Sequence, residues 1–440
     1  MASPGQHGMR IFGTQRTAVA GLAFAIVLVL AVGATEAAQA QTYKVIHNFA
    51  GGLDGAEPAA GLTMDGAGNL YGTTFEGDAL TGTVFKLTHK NSSWVLSPLF
   101  LFTEGGSGGA IPYAKVIFGP DGTLYGTTGY GGNPQNCIGG CGTVFNLKPK
   151  PNPPVTPLSP WLERAIYPFG GGSDGANPYG ADLIFDQAGN IYGTTYNGGG
   201  GGCSGGCGTV YKLTPSNGTW TESLIYSFTQ GGDGQHPWGG VIFDQSGNLY
   251  GTTTYGGAYG SGAIYKLTPS GSGWTESLLY SFTGGTDGAN PYAGLIFDQA
   301  GNLYGAAAVG GSGNGGTAFE LTPSNGSWTF NPLYSFTGPG GAFAPGPIAN
   351  LAFDSAGNLY GTTHGDGPYY VGSVFKLTPA GGSWTYTSLH DFTNGNDGGA
   401  PRSSIIFDKN GNLYGTAASG GTGDPDNCYG SCGVVFEITP

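Results

Sequence analysis

Between residues 295 and 336 the chain passes through four apolar-rich stretches, "LIFD", "NLYGAA", "TAFELTP" and "WTFNPLYSF", separated by polar or glycine-bearing breaks. "LIFD" is almost continuously apolar, which predicts a strand covered on both faces. In the copy "WTESLLYSF", Trp274, Leu278, Tyr280 and Phe282 alternate with smaller or polar residues, which predicts an outer strand with one face turned inward. The first two stretches are joined by "QAG", where Asp298 opens the turn and Gly301 with Asn302 can take positive φ. "SNGS" joins the last two in another tight turn.

This unit recurs. Its central tyrosine appears as Tyr71, Tyr125, Tyr192, Tyr250, Tyr304, Tyr360 and Tyr414, at successive spacings of 54, 67, 58, 54, 56 and 54, so there are seven copies. Tight turns alternate with longer glycine-rich connections, which in an up-and-down sheet places all the long loops at one end. Radially repeated four-stranded antiparallel sheets define a seven-bladed β-propeller. The segment "YKVIHNF" (43–49) matches a fourth strand, whereas "VVFEITP" (434–440) is a third strand. The leading segment is therefore expected to complete the last blade and close the ring. An open solenoid would need terminal caps rather than complementary ends. "KPKPNPPVTPLSP" (148–160) inserts between the third and fourth strands of the second copy, as an extended surface loop.

Composition changes the picture in two ways. Gly (89) and Pro (28) are abundant, but 24 Phe, 25 Tyr and 7 Trp supply bulk for a core, so disorder is not expected. Residues 1–40 carry Arg10 and Arg16, an apolar run from Ala18 to Val32, and Ala38-Gln39-Ala40, the pattern of a secretory signal cleaved before Gln41. The rival reading is a membrane anchor, for which that run is short. Residues 41–440 then form a single propeller domain, expected to be extracellular or at the cell surface, or periplasmic, and monomeric. A net charge of -13 on only 14 Lys plus Arg excludes a nucleic-acid or anionic-membrane surface.

The cysteines fall in three copies of one spacing, Cys137/Cys141, Cys203/Cys207 and Cys428/Cys432. In an exported protein these read as short disulfides that shape glycine-rich loops. A four-thiolate metal site from Cys137, Cys141, Cys203 and Cys207 is the alternative.

"GNLYGTT", "CGTVYKLTP" and "GGTDGANPYAGLIFD" resemble the tandem GloVer-type repeats of exported bacterial proteins whose members carry interchangeable surface anchors. The resemblance covers residues 43–440 and implies an exported or surface-attached repeat protein, with no family active-site residues to carry over. The sequence ends at Pro440 without a sorting tail, so covalent anchoring is not expected.

Candidate chemistry gathers in the long loops. Asp54, Asp174, Asp233, Asp287 and Asp397 occupy similar inter-blade positions and could take calcium, although Asp-Gly is equally turn chemistry. Asp65, Asp186, Asp244, Asp298, Asp354 and Asp408 open the inner hairpin turns and read as structural; the second copy has Gly119 and Pro120 there. His364, Asp366 and Arg402 are expected to approach one another, a set able to abstract a proton beside a sugar carboxylate. Irregular aromatic and histidine positions, His236, Trp238, Tyr255, Tyr259, Tyr369 and Tyr370, suit stacking on a glycan or anchoring a protein. These features predict a non-catalytic binding module without a required cofactor, recognising a glycan or an extracellular protein. The alternative is a polysaccharide lyase or hydrolase using the same face.

Overall fold

The computed structural model describes residues 41–440 apart from 78–80, 104–107, 134–135, 152–159, 339–345 and 429. The signal-like segment and the centre of the proline-rich insertion lie outside the described residues. Tyr43–Thr439 forms a compact unit of seven four-stranded antiparallel sheets, a seven-bladed β-propeller. Six blades are consecutive, at 63–101, 117–168, 184–227, 242–281, 296–337 and 352–391; the seventh takes three strands from 406–439. Its outer strand is Thr42–Asn48, hydrogen-bonded beside Val434–Thr439. No helix among the described residues is long and apolar enough to cross a membrane.

Ring closure rests on side chains from three blades. Tyr43 stacks on His390 of the sixth blade at 3.6 Å and packs 5.6 Å from Phe436 of the seventh. Phe49, fully buried, meets Phe85 of the first blade at 5.2 Å. The leading strand is thus a three-way wedge, and its loss would expose apolar surface in all three blades.

Five of the seven inner hairpins are closed by the same polar knot, and in the seventh blade Asp408 keeps three of its bonds while the Tyr414 hydroxyl donates to Glu437 at 2.8 Å. The Asp298 carboxylate accepts from the backbone amides of Ala300 (2.9 Å) and Asn302 (2.8 Å) and from the Asn302 side chain (2.7 Å), and the Tyr304 hydroxyl lies 3.3 Å away, shared with Glu320 at 2.6 Å. Asp65, Asp186, Asp244 and Asp354 repeat all four bonds. In the second blade Asp121 takes over, accepting from Thr123 and Tyr125. Burial alone would raise these carboxyls, but the donated hydrogen bonds hold Asp65, Asp186, Asp244 and Asp354 below the ordinary aspartate value.

Two details differ from the sequence pattern. The innermost strand is only two residues long, Ile296–Phe297 in the fifth blade, and half-buried, because it is an edge strand with no partner on its axial side. The fully buried strand is the second, Leu303–Ala307. There Gly305 is obligatory: a Cβ would lie 2.7 Å from Cζ of Phe319. In the outer strand Leu278 is 40 % exposed while its neighbour Leu279 packs inward. A bulge opposite Ile264/Tyr265 inserts one residue and reverses the alternation from that point.

The cysteines pair within their own loops as Cys137–Cys141, Cys203–Cys207 and Cys428–Cys432, each spanning 5.1 Å between Cα atoms. The four-thiolate alternative is therefore not formed.

Candidate functional site

The loop entering each blade is built on one plan. In five of them an Asp side chain accepts the backbone amide four residues earlier and an aromatic or histidine group seven residues earlier, as Asp287 does from Thr283 (2.7 Å) and Tyr280 (2.9 Å). In six loops the corner is followed by a residue in the left-handed region, Glu57, Ile111, Asn177, His236, Asn290 and Ala400 at φ between 48° and 61°, and then by proline in each case. The amide of this residue bonds back to the preceding blade. For Glu57, Asn177 and His236 the acceptors are the carbonyls of Cys432 (3.0 Å), Cys141 (2.7 Å) and Cys207 (2.7 Å). The three disulfide loops thus hold the rim of the following blade.

The residue after the loop proline is Ala59, Tyr113, Tyr179, Trp238, Tyr292, Ile348 and Arg402 in the seven blades. All but Tyr179 line a cavity of about 480 Å³ at the axis, and Tyr179 stacks directly behind, its ring 5.3 Å from Trp238. Four successive blades therefore contribute an aromatic crescent. Tyr113 lies edge-on to Trp238 at 6.0 Å and to Tyr179 at 5.5 Å, and Tyr292 edge-on to Trp238 at 5.6 Å. Tyr255 completes the wall.

The other side is polar. Lys115 and Asp182 form an ion pair at 3.0 Å, and Asp182 also accepts from the Asn350 side chain at 3.3 Å. His364, Ser404 and the exposed Arg402 share this lining. Arg402 enters no ion pair among the described residues. Burial raises the nearby Glu57 carboxyl, with the Arg402 guanidinium pulling the other way. Glu76 is pushed up to about 7 by burial and by the charge of Glu57. Burial also raises Tyr113, Tyr179 and Tyr292 above the ordinary phenol value, and Tyr196 to about 12. These tyrosines are neutral rings with hydroxyl groups, not ready bases.

Of the candidate residues, Trp238, Tyr255, His364 and Arg402 converge on this cavity. His236 stands behind it, stacked on Tyr196 at 4.5 Å, with a ring nitrogen 2.8 Å from the Tyr196 carbonyl. Asp366 does not join His364 and Arg402. It is buried in a separate outer pocket with Tyr334, Tyr370, Tyr386 and Asp391. After the second strand the chain turns outward, so residues two apart face different spaces. Tyr259 and Tyr369 are exposed, at 65 % and 58 %, and line neither pocket. The loop aspartates Asp54, Asp174, Asp233, Asp287 and Asp397 each sit in their own loop, and no group of three or more candidate metal ligands gathers among the described residues. Tyr113, Lys115, Asp182, Tyr292 and Asn350 were not singled out by the sequence pattern. The column after the loop proline would have found Tyr113 and Tyr292.

The chain belongs to the Gloeobacter/Verrucomicrobia repeat family, whose model matches residues 34–205 and 200–429. No curated protein matches it. Among solved structures it is similar in fold to a putative oxidoreductase (glucose dehydrogenase) from Thermus thermophilus, at 14 % identity and TM-score 0.40, covering 91 % of this chain and 100 % of that one. It is also similar to a putative 6-phosphogluconolactonase from Bacteroides uniformis, at 17 % identity and TM-score 0.47, over 75 % and 84 % of the two chains. An ulvan lyase is similar at 12 % identity and TM-score 0.48, over 79 % and 86 %.

Proposed function

We propose that this protein is an exported, monomeric, non-catalytic glycan-binding propeller whose ligand occupies the axial cavity without a cofactor. The observation that carries this reading is the single column after the loop proline, which gives aromatic rings in four neighbouring blades and a guanidinium in the seventh. Apolar sugar faces stack on such rings, while Lys115, Asp182, Asn350 and Arg402 supply directional hydrogen bonds and charge. Three disulfides agree with an oxidising, extracellular location.

A second reading, a polysaccharide lyase or hydrolase at the same cavity, is favoured by His364 and Arg402 sharing one lining. The raised tyrosines and the displaced Asp366 weigh against it. A polysaccharide array, followed by a turnover assay with and without EDTA, separates the two. Retention of a glycan without product supports binding. Reducing ends or unsaturated products abolished by His364→Ala would replace it with the enzyme. Retention of no glycan together with no product would overturn both readings and leave an extracellular protein as the ligand to test.

A further inference from the structure

A second concavity of about 680 Å³ lies between the loops of the second and third blades. One wall carries Asn136, Cys137 and Ile138 from the first disulfide loop, and the other carries Gly198, Gly199, Gly200, Gly205 and Gly206 from the second. These five glycines all have left-handed φ, between 76° and 88°, so no side chain narrows this wall, while the amides of Gly198, Gly199 and Gly206 are spent on the carbonyls of Gly205, Gly172 and Cys203. Tyr130, Asn177 and Asn197 supply polar groups. The Tyr179 hydroxyl donates to that of Tyr130 at 3.0 Å, and the Asn197 amide donates to the Asn177 side-chain oxygen at 3.0 Å. Ile138 stands fully exposed at the edge.

Tyr179 joins this groove to the central site. It lines the groove, while its ring stacks on Trp238, which lines the axial cavity. Tyr130 lies 5.7 Å from Tyr179. The aromatic rings therefore run without a break from the axis to the rim on this side of the ring, where two disulfide-braced loops form the walls.

We propose that the groove is a continuation of the axial site, so that the ligand is a polymeric glycan lying from the axis outward across the Cys137–Cys141 and Cys203–Cys207 loops. This rests on the glycan reading of the axial cavity. A chain crossing an open track gains contacts with each added sugar, whereas a closed pocket saturates after one or two. An open wall without side chains leaves room for sugar rings, and the hydroxyl of Tyr130 with the amide side chain of Asn197 on its floor suits the dense hydroxyl pattern of such a chain.

The test uses the whole mature protein and calorimetric titration with size-fractionated oligogalacturonides of one to eight units, alongside fragments of the polymer that the array retains. Affinity is expected to rise at least tenfold between two and six units. Tyr130→Ala and Ile138→Ser should each bring the six-unit affinity down toward the two-unit value, Ile138 being fully exposed and free of any folding role. Trp238→Ala should weaken short and long ligands alike. Equal affinity for two and six units, with short ligands still bound, would overturn the extended track and leave the axial site standing. Failure of every fragment to bind would overturn both.

Discussion

The tight turn that closes an inner hairpin and the longer loop that enters a blade both carry glycine and, in most blades, a structural aspartate, yet they have diverged in opposite ways. At the hairpin end, Asp, Asn and Tyr recur with the same four hydrogen bonds in blade after blade, and even the irregular second copy rebuilds part of the knot from Asp121. At the loop end the backbone plan is equally regular, but the side chain after the proline is different in nature from one side of the ring to the other. A position whose bonds stay within its own turn must meet the same demand in every copy. A position that points into a shared axial space is free of that local demand, so seven copies can each supply a different side chain to one cavity.

That contrast can be broken at several points. Removing residues 41–49 should have the largest effect, because Tyr43 and Phe49 wedge three blades together; loss of a single cooperative calorimetric transition is expected, and an unchanged transition would refute closure by this strand. Asp298→Ala should cost about 1–3 kcal/mol of stability by leaving donors in the knot unpaired, seen as a lower Tm, with glycan affinity unaltered. Trp238→Ala should do the reverse, weakening binding by about 1–2 kcal/mol, roughly five- to thirtyfold, with little change in Tm. Arg402→Gln should weaken acidic glycans more than neutral ones, measured on the same titration.

The smallest effect concerns pH. Tyr211 and Tyr265 stand in the third and fourth blades where other blades have Phe85, Phe145, Phe319, Phe375 and Phe436, and each feels the charge of a glutamate on the adjoining strand, Glu222 and Glu276 respectively. Burial pushes Glu163, Glu222 and Glu276 up to about 7. A carboxyl raised from 4.5 by folding stabilises the fold fully below that value, and its contribution is lost as pH rises through about 7. The hairpin aspartates have the opposite sign: lowered below 3.8, they contribute above that value and lose it in acid. Tm should therefore peak at about pH 4–5 and fall toward pH 8, and Glu222→Gln with Glu276→Gln should flatten the alkaline side. A Tm that rises between pH 5 and 8 would contradict this.

Legibility along the chain followed the range of the interaction. The hairpin aspartates, the paired cysteines and the seven-fold repeat were readable because their partners lie within a few residues or recur at a visible period. The outer-strand alternation misled at Leu278, since a bulge is set by pairing with the neighbouring strand rather than by the strand's own pattern. Of the expected set of three, His364 and Arg402 do share the axial cavity, whereas Asp366, two residues from His364, lies in another pocket. Trp238 and Tyr255 were visible as irregular loop aromatics, but nothing local marks Lys115 and Asp182 as partners across two blades.

By itself the amino-acid order determined the blade, its turns, the number of copies and the complementary ends, because each depends on short-range geometry and on repetition. Only the closed ring decided which side chains meet, since residues in different blades share the axis solely when the last gap is filled. Side chains from Lys115 to Arg402, far apart along the chain, become neighbours there for that reason alone.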